Sequence, residues 1–192
     1  MTIYLIRHGE STSDVEDRYG GVYDDHLTEK GREQARILGK DLTDKGIEVV
    51  FTSPYLRAFE AAQELHRILD CRIIKNADIR ERNTYGILSG MEKSEAVKKH
   101  PELIPLLVNY QNTVPSGEEY KDFAGRIKKA WQEITHSGHK TIGIITHGGP
   151  IRCIFREIFK KGEIGRLGDC AVFELSDELG SWEVISVRNA EL

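Results

Sequence analysis

Three stretches of the chain put chemically capable side chains directly after runs of β-prone residues. Ile3–Ile6 runs into Arg7, His8 and Gly9. Val49–Phe51 runs into Thr52, Ser53 and Pro54, with Arg57 one turn further on. Ile142–Ile145 runs into Thr146, His147, Gly148 and Gly149. In an open sheet of parallel strands the carboxyl ends share one edge, and ligands bind there. Two histidines and two arginines then converge on one crevice. Taken alone, Arg7 and His8 also fit a strand that simply leaves the core for solvent; the repetition argues for a site. Convergent cations without metal-type carboxylate spacing suit a phosphoryl group. Glycines such as Gly148 let backbone N–H groups approach a ligand closely, and a helix opening at Pro54 adds a positive dipole end.

Such a crevice implies a mechanism. An arginine beside a histidine lowers the histidine's pKa and keeps a neutral imidazole nitrogen free to attack phosphorus. The arginines and the second histidine would hold the equatorial oxygens as charge grows on them. An acid must protonate the leaving oxygen, and "DIRERNTYG" offers Glu81, with Asp78 as the alternative. A carboxyl near bound phosphate has its pKa raised, which suits a general acid.

The elements that must position these groups follow from periodicity. "LTEKGREQARILGKDLTDKG" reads as a helix with Thr28 as N-cap, an apolar stripe of Ala35, Leu38 and Leu42, and Gly46 as the stop. "SPYLRAFEAAQELHRILD" reads as a second, with Ser53 as cap, Pro54 at the first helical position, and Tyr55, Ala58, Phe59, Ala62, Leu65 and Leu69 on one face. "CRIIK" is a short strand. Phe123, Ile127, Ala130, Trp131 and Ile134 mark a long helix, "PIRCIFREIFKKG" another, and "CAVFELS" and "SWEVISV" two closing strands. Alternating strands and helices predict an α/β fold: a three-layer α/β/α sandwich around a mostly parallel central sheet with an antiparallel edge. Residues 78–117 are irregular, with two short helices around Pro101. They read as a helical lid insertion or as a plain structural excursion.

Bulk properties exclude several classes. A chain of 192 residues suits one domain, here 1–192, and 39% hydrophobic with 30% charged residues is ordinary for a globular protein. No apolar run is long enough to span a bilayer, and "MTIYLIRHGE" lacks the basic leader of a signal peptide. Cys71, Cys153 and Cys170 are odd in number and far apart, which implies free thiols in a reducing compartment. The expected location is cytoplasmic. A net charge of -4 disfavours nucleic acid as partner. His26, His66, His100, His136 and His139 read as non-catalytic, and Ile104, Leu106, Leu107 and Tyr110 as a small-molecule pocket or as lid core.

Together, "LIRHGES", "TSPYLRA", "RER…YG" and "ITHGGPIR" resemble the histidine phosphatase superfamily, which includes the cofactor-dependent phosphoglycerate mutases. The motifs appear in the family's order across residues 5–152. The resemblance implies that His8 becomes phosphohistidine, that Arg7, Arg57 and His147 form the phosphate pocket, and that Glu81 is the proton donor and later the base for water. It implies no metal. Arg18, Tyr19 and Gly21 match the mutases' loop, and Tyr85 and Lys93 their substrate contacts, with one extra residue before Tyr85. The resemblance implies substrate binding by Tyr19, Gly20, Gly21, Tyr85, Lys93 and Gly148. Ser11 donates to phosphate or caps the next turn. Asp14 stands where the family has asparagine, and an ionised carboxylate there repels a dianion unless it is protonated, turned toward Arg18, or facing a substrate hydroxyl or cation.

Phosphatase and mutase share the first half-reaction. "HPELIPLLVNYQNTVPSGEEY" lacks the arginine pair that the mutases carry in the lid, and the chain ends soon after its last strand. The expected activity is hydrolysis of a small phosphorylated metabolite, without a cofactor. The alternatives are a 2,3-bisphosphoglycerate-dependent mutase and a non-catalytic phospho-ligand binding module. A homodimer paired through "SWEVISV" is a further expectation.

Overall fold

The computed structural model describes residues 1–178 and 180–192. Its six strands are β1 (Thr2–Arg7), β2 (Val49–Thr52), β3 (Arg72–Lys75), β4 (Thr141–Thr146), β5 (Leu167–Ser176) and β6 (Glu183–Ala190). They form one sheet in the order β3-β2-β4-β1-β5-β6. The first four in that order are mutually parallel, while β5 runs antiparallel to β1 and β6 antiparallel to β5.

The layers follow from side chains alternating across each strand. Ile3, Leu5, Val49, Phe51, Ile142 and Ile144 face one way, against Phe123, Ile127 and Ile134 of α5 (Tyr120–Thr135) and Ile151 of α6 (Gly148–Cys153). Tyr4, Ile6, Val50 and Ile145 face the other, against Ala35 and Leu38 of α2 (Glu29–Asp41) and Ala58, Ala62 and Leu65 of α3 (Leu56–Leu69). Each large side chain buried this way contributes about 1.5–3 kcal/mol. The sheet is thereby covered on both faces, which explains why its parallel strands read as continuous apolar runs.

Thr28 caps α2 as expected, its hydroxyl accepting the Gly31 N–H at 3.0 Å. The start of α3 differs from the expectation. Its N-cap is Tyr55, not Ser53, and Pro54 lies outside the helix. Asp24 Oδ1 accepts the Leu56 N–H at 2.7 Å, so an acid distant in sequence occupies that helix end. The helix read over "PIRCIFREIFKKG" starts earlier, at Gly148, and passes into a π-type turn at Ile154–Ile158.

Residues 78–117 hold two 3-10 turns, α4 (Lys93–Lys99) before Pro101, and another 3-10 turn (Ile104–Val108) after it. Leu88, Ala96, Leu103 and Val114 form a small core of this segment, joined by Ile104 and Leu107. The carboxyl end of β4 meets it, the Thr146 hydroxyl donating to the Ile79 carbonyl at 2.5 Å. The short α1 (Thr12–Val15) follows β1. Among the described residues no helix is long and apolar enough to cross a membrane.

Candidate active site

The carboxyl ends of β1 and β4 and the start of α3 open on a cavity of about 320 Å³. Its wall includes Arg7, His8, Ser11, Asp14, Gly20 and Gly21 from the N-terminal region and Arg57 from α3. Glu81, Tyr85 and Lys93 come from residues 78–117, and Gly148 and Arg152 from α6.

His8 is 4% exposed. Its Nδ1 lies 2.7 Å from the Gly9 carbonyl, which can only accept, so the ring proton sits on Nδ1. Arg57 donates its Nε–H to His8 Nε2 at 3.2 Å, and that nitrogen is therefore an unprotonated lone pair. Burial first, then the charges of Arg57 and Arg7, hold the His8 pKa well below the ordinary histidine value. The glycine of Arg7-His8-Gly9 has a packing cause rather than a ligand: a Cβ on Gly9 would meet the Gly31 carbonyl at 2.5 Å, where β1 ends against α2.

Arg57 is itself held on all sides. It donates to the carbonyls of Tyr23 (2.8 Å) and Gly21 (2.9 Å) and pairs with the buried Asp25 at 2.7 Å. Burial alone would raise the Asp25 pKa, but Arg57 and the Ser13 N–H (2.9 Å) bring it below the usual value. Arg7 donates to the Leu167 carbonyl of the neighbouring strand at 2.7 Å.

His147 is fully buried and packs its ring 5.0 Å from that of His8. It packs against His8 and is not part of the cavity wall, so the expected contact with phosphate is not formed at that wall. Ser53 Oγ accepts the Tyr55 N–H at 3.3 Å and lies 2.7 Å from His147 Nε2. The Ser53 hydroxyl thus holds the Nε2 side of the ring. The ring's Nδ1 is buried without a partner. Burial, then Arg57, lowers the His147 pKa as well. Ser53 thus orients a histidine instead of capping a helix, and the α3 dipole expected at Pro54 is taken by Asp24.

Two backbone N–H groups hold Glu81, that of Arg82 on Oε1 (2.8 Å) and that of Gly149 on Oε2 (3.1 Å). A Cβ on Gly149 would collide with this carboxylate. Arg126 of α5 fixes the segment by donating to the carbonyls of Asp78 (2.6 Å), Arg80 (2.8 Å) and Glu81 (3.1 Å). Asp78, the alternative acid, pairs with Lys129 at 3.2 Å and does not line the cavity.

Ser11 caps α1, and Asp14 Oδ2 accepts both its N–H (2.9 Å) and its hydroxyl (2.8 Å). The other Asp14 oxygen lies 3.8 Å from Arg7. Arg18 bonds Glu16, Glu92 and the Gly90 carbonyl instead, so Asp14 is not turned toward it. Gly21 has φ +55 and packs against the Tyr85 ring. Tyr19 does not reach the cavity; it stacks on Tyr85 at 4.8 Å, backing the wall instead of forming it. Burial pushes the Tyr85 pKa up to about 12. Lys93 lines the mouth and pairs with Asp17.

The remaining expectations fall outside the cavity. His26, His66, His136 and His139 bond Glu60, the Cys71 carbonyl, the Gln132 carbonyl and Glu48, and His100 lies 3.7 Å from Glu102. Ile104 and Leu107 pack in the segment's own core, and Tyr110 packs edge to face against Tyr120. The three cysteines are buried and unpaired. Among the described residues no group of three or more His, Cys, Asp or Glu is arranged to hold a metal ion. Asp25, Arg82, Arg126 and Arg152 were not singled out by sequence.

A neutral histidine nitrogen, two arginines and a carboxyl around one cavity on such a sheet define a phosphoryl-handling protein. The chain belongs to the Histidine phosphatase superfamily (branch 1), whose family model matches residues 3–189. It is 30% identical to a metal-independent phosphoserine phosphatase of Arabidopsis thaliana, over 96% of this chain and 82% of that one. It is 32% identical to a 2,3-bisphosphoglycerate-dependent phosphoglycerate mutase of Parvibaculum lavamentivorans, over 93% and 92%. The solved structure of Bacillus stearothermophilus YhfR superposes with a TM-score of 0.85 at 28% identity, covering 96% and 95%.

Proposed function

We propose that the chain is a phosphomonoester hydrolase that acts on a small phosphorylated metabolite through a phosphohistidine, without a cofactor. The observation that carries this reading is His8 Nε2: a lone pair in the cavity, kept unprotonated by the Nδ1–Gly9 bond and faced by Arg57 at 3.2 Å. In the first step the Arg57 N–H turns from Nε2 to a phosphoryl oxygen, the freed Nε2 lone pair attacks phosphorus, and the ester P–O bond breaks. The leaving oxygen takes a proton from Glu81. Arg7 and Arg57 hold the equatorial oxygens and meet the charge that grows on them. In the second step water attacks the phosphohistidine, Glu81 takes its proton, and the P–N bond breaks to return His8.

Relatives of both kinds keep the mutase reading alongside, with 2,3-bisphosphoglycerate as its cofactor. Hydrolysis is favoured because the lid stretch 100–120 contains no arginine to clamp a second anionic group. At the mouth, Arg18 and Lys93 are already paired with carboxylates of the chain. The test is phosphate release from p-nitrophenyl phosphate, with chelator, by wild type and His8→Ala. Release that survives chelator and is lost in His8→Ala supports the hydrolase. Bisphosphate-dependent conversion of 3- to 2-phosphoglycerate with little release makes it a mutase, and neither activity makes it a binding module.

A further inference from the structure

The two arginines that would hold a phosphoryl group are already matched by carboxylates of the chain. Arg57 pairs with Asp25 at 2.7 Å. Arg7 lies 3.5 Å from Asp169 of β5 and 3.8 Å from Asp14 of α1. Burial keeps His8 and His147 neutral, so neither adds charge. At the mouth, Arg18 is paired with Glu16 and Glu92 and Lys93 with Asp17, while Arg152 of α6 donates to the carbonyls of Ile164 and Gly165. A dianion entering this cavity meets no surplus of positive charge.

The conflict is sharpest at Asp14. Nη1 of Arg7 is spent on the Leu167 carbonyl at 2.7 Å and faces Asp169. Nη2 is the nitrogen left for a phosphoryl oxygen, and Asp14 Oδ1 stands 3.8 Å from that same nitrogen in the cavity wall. Asp14 Oδ2 is held by the Ser11 N–H and hydroxyl, so the carboxylate cannot swing away without uncapping α1. An oxygen bound by Nη2 therefore lies beside Oδ1. Two anionic oxygens there repel, whereas one proton between them makes a short, charge-assisted O–H···O⁻ bond. The second pKa of a phosphomonoester is about 6, above the ordinary carboxyl range, so the proton sits on the phosphoryl oxygen.

We propose that Asp14 determines the charge state of the substrate: it accepts a hydrogen bond from the P–O–H of the monoester monoanion, and the dianion is admitted only by taking up a proton. The inference rests on the phosphoryl site proposed above. The titratable groups that face Asp14 are Arg7 from β1 and Tyr85 from residues 78–117, and burial pushes Tyr85 up to about 12, which keeps it neutral. Glu81 and His147 are the other groups beside the phosphoryl site that could gain a proton, and the test separates them from Asp14.

Phenyl phosphate is titrated by calorimetry into the His8→Ala protein at pH 8, in buffers of different ionisation enthalpy. Binding is expected to take up about one proton, and Kd to weaken about tenfold per pH unit above pH 7, the slope of one linked proton. Adding Asp14→Asn, which keeps an oxygen for the Ser11 N–H, is expected to remove the uptake and flatten Kd, while adding Glu81→Gln leaves both in place. No uptake at all overturns the inference. So does uptake that survives Asp14→Asn, whether it disappears with Glu81→Gln, which places the proton on the acid, or survives that change too, which points to His147. Uptake that depends on Asp14, with no phosphate release by wild type, keeps the inference and overturns the hydrolase. Failure of phenyl phosphate to bind overturns both.

Discussion

The Nε–H of Arg57 points at Nε2 of His8 across 3.2 Å, so a fixed cation touches the atom on which the proposed chemistry turns. A protonated Nε2 has no place in that contact, because two donors would face each other. The histidine is kept neutral by its neighbours and remains so in acid where a free histidine would be charged.

That neutrality has a consequence for stability. Native His8 and His147 have pKa values well below the ordinary one, through burial and then Arg57, whereas in the unfolded chain they titrate near about 6.5. Below that pH the unfolded state binds more protons, so stability falls as pH is lowered, by up to about 1.4 kcal/mol per pH unit for each ring. Above it neither ring contributes a slope. Denaturant midpoints between about pH 5 and pH 8 should show a shallower acid slope in the His8→Ala, His147→Ala double variant. An unchanged slope would mean that the rings are charged in the native state.

Asp25 should matter more to the fold than its place outside the cavity wall suggests. It is the carboxylate opposite the buried Arg57 at 2.7 Å. Removing one partner leaves the other buried and uncompensated, so Asp25→Ala is expected to cost about 3–5 kcal/mol in urea unfolding. A loss below about 1 kcal/mol would show that water reaches Arg57 once the pair is broken.

Proton donation by Glu81 is visible in the choice of leaving group. Alkyl phosphates need their oxygen protonated as it departs, so Glu81→Gln should slow them about 10²–10⁴-fold. Nitrophenolate leaves without help, and p-nitrophenyl phosphate should lose much less in the formation of the phosphoenzyme. Equal losses on both substrates in single-turnover measurements would remove Glu81 from that step.

Asp14 places a carboxylate in the cavity wall, tied to Ser11 and 3.8 Å from Arg7. In Asp14→Asn the amide oxygen keeps the Ser11 N–H, while a negative charge is lost next to a dianion. KM should fall several-fold with kcat little changed. Equal KM values across several substrates and pH would show that Asp14 does not face the phosphate.

Most of the sheet was legible because its signals are local. Ile3–Ile6 and Ile142–Ile145 are apolar runs ended by polar residues, and the stripes of α2 and α5 repeat at helical spacing. His8 follows β1 directly, and Arg57 and Glu81 lie five and six residues past the ends of β2 and β3, close enough for the same local signals to mark them. Long-range partners were not legible. Asp24 takes the end of α3 that Ser53 was expected to cap, which frees the Ser53 hydroxyl for His147, 94 residues away. Asp25 meets Arg57 from a loop, and Arg126 grips the Glu81 segment from α5 across 45 residues. The loop match points to Tyr19 as a contact, but only packing against Tyr85 decides which of the two rings lines the wall.

The central claim is a covalent bond from phosphorus to His8. The direct measurement is to mix wild type and His8→Ala with substrate, quench in base within the first turnover, and locate any protein-bound phosphoryl group by mass spectrometry. The account predicts a base-stable, acid-labile adduct on His8 that forms before product alcohol exceeds one equivalent and is absent in His8→Ala. Full turnover by folded His8→Ala, or an adduct on another residue, would contradict it.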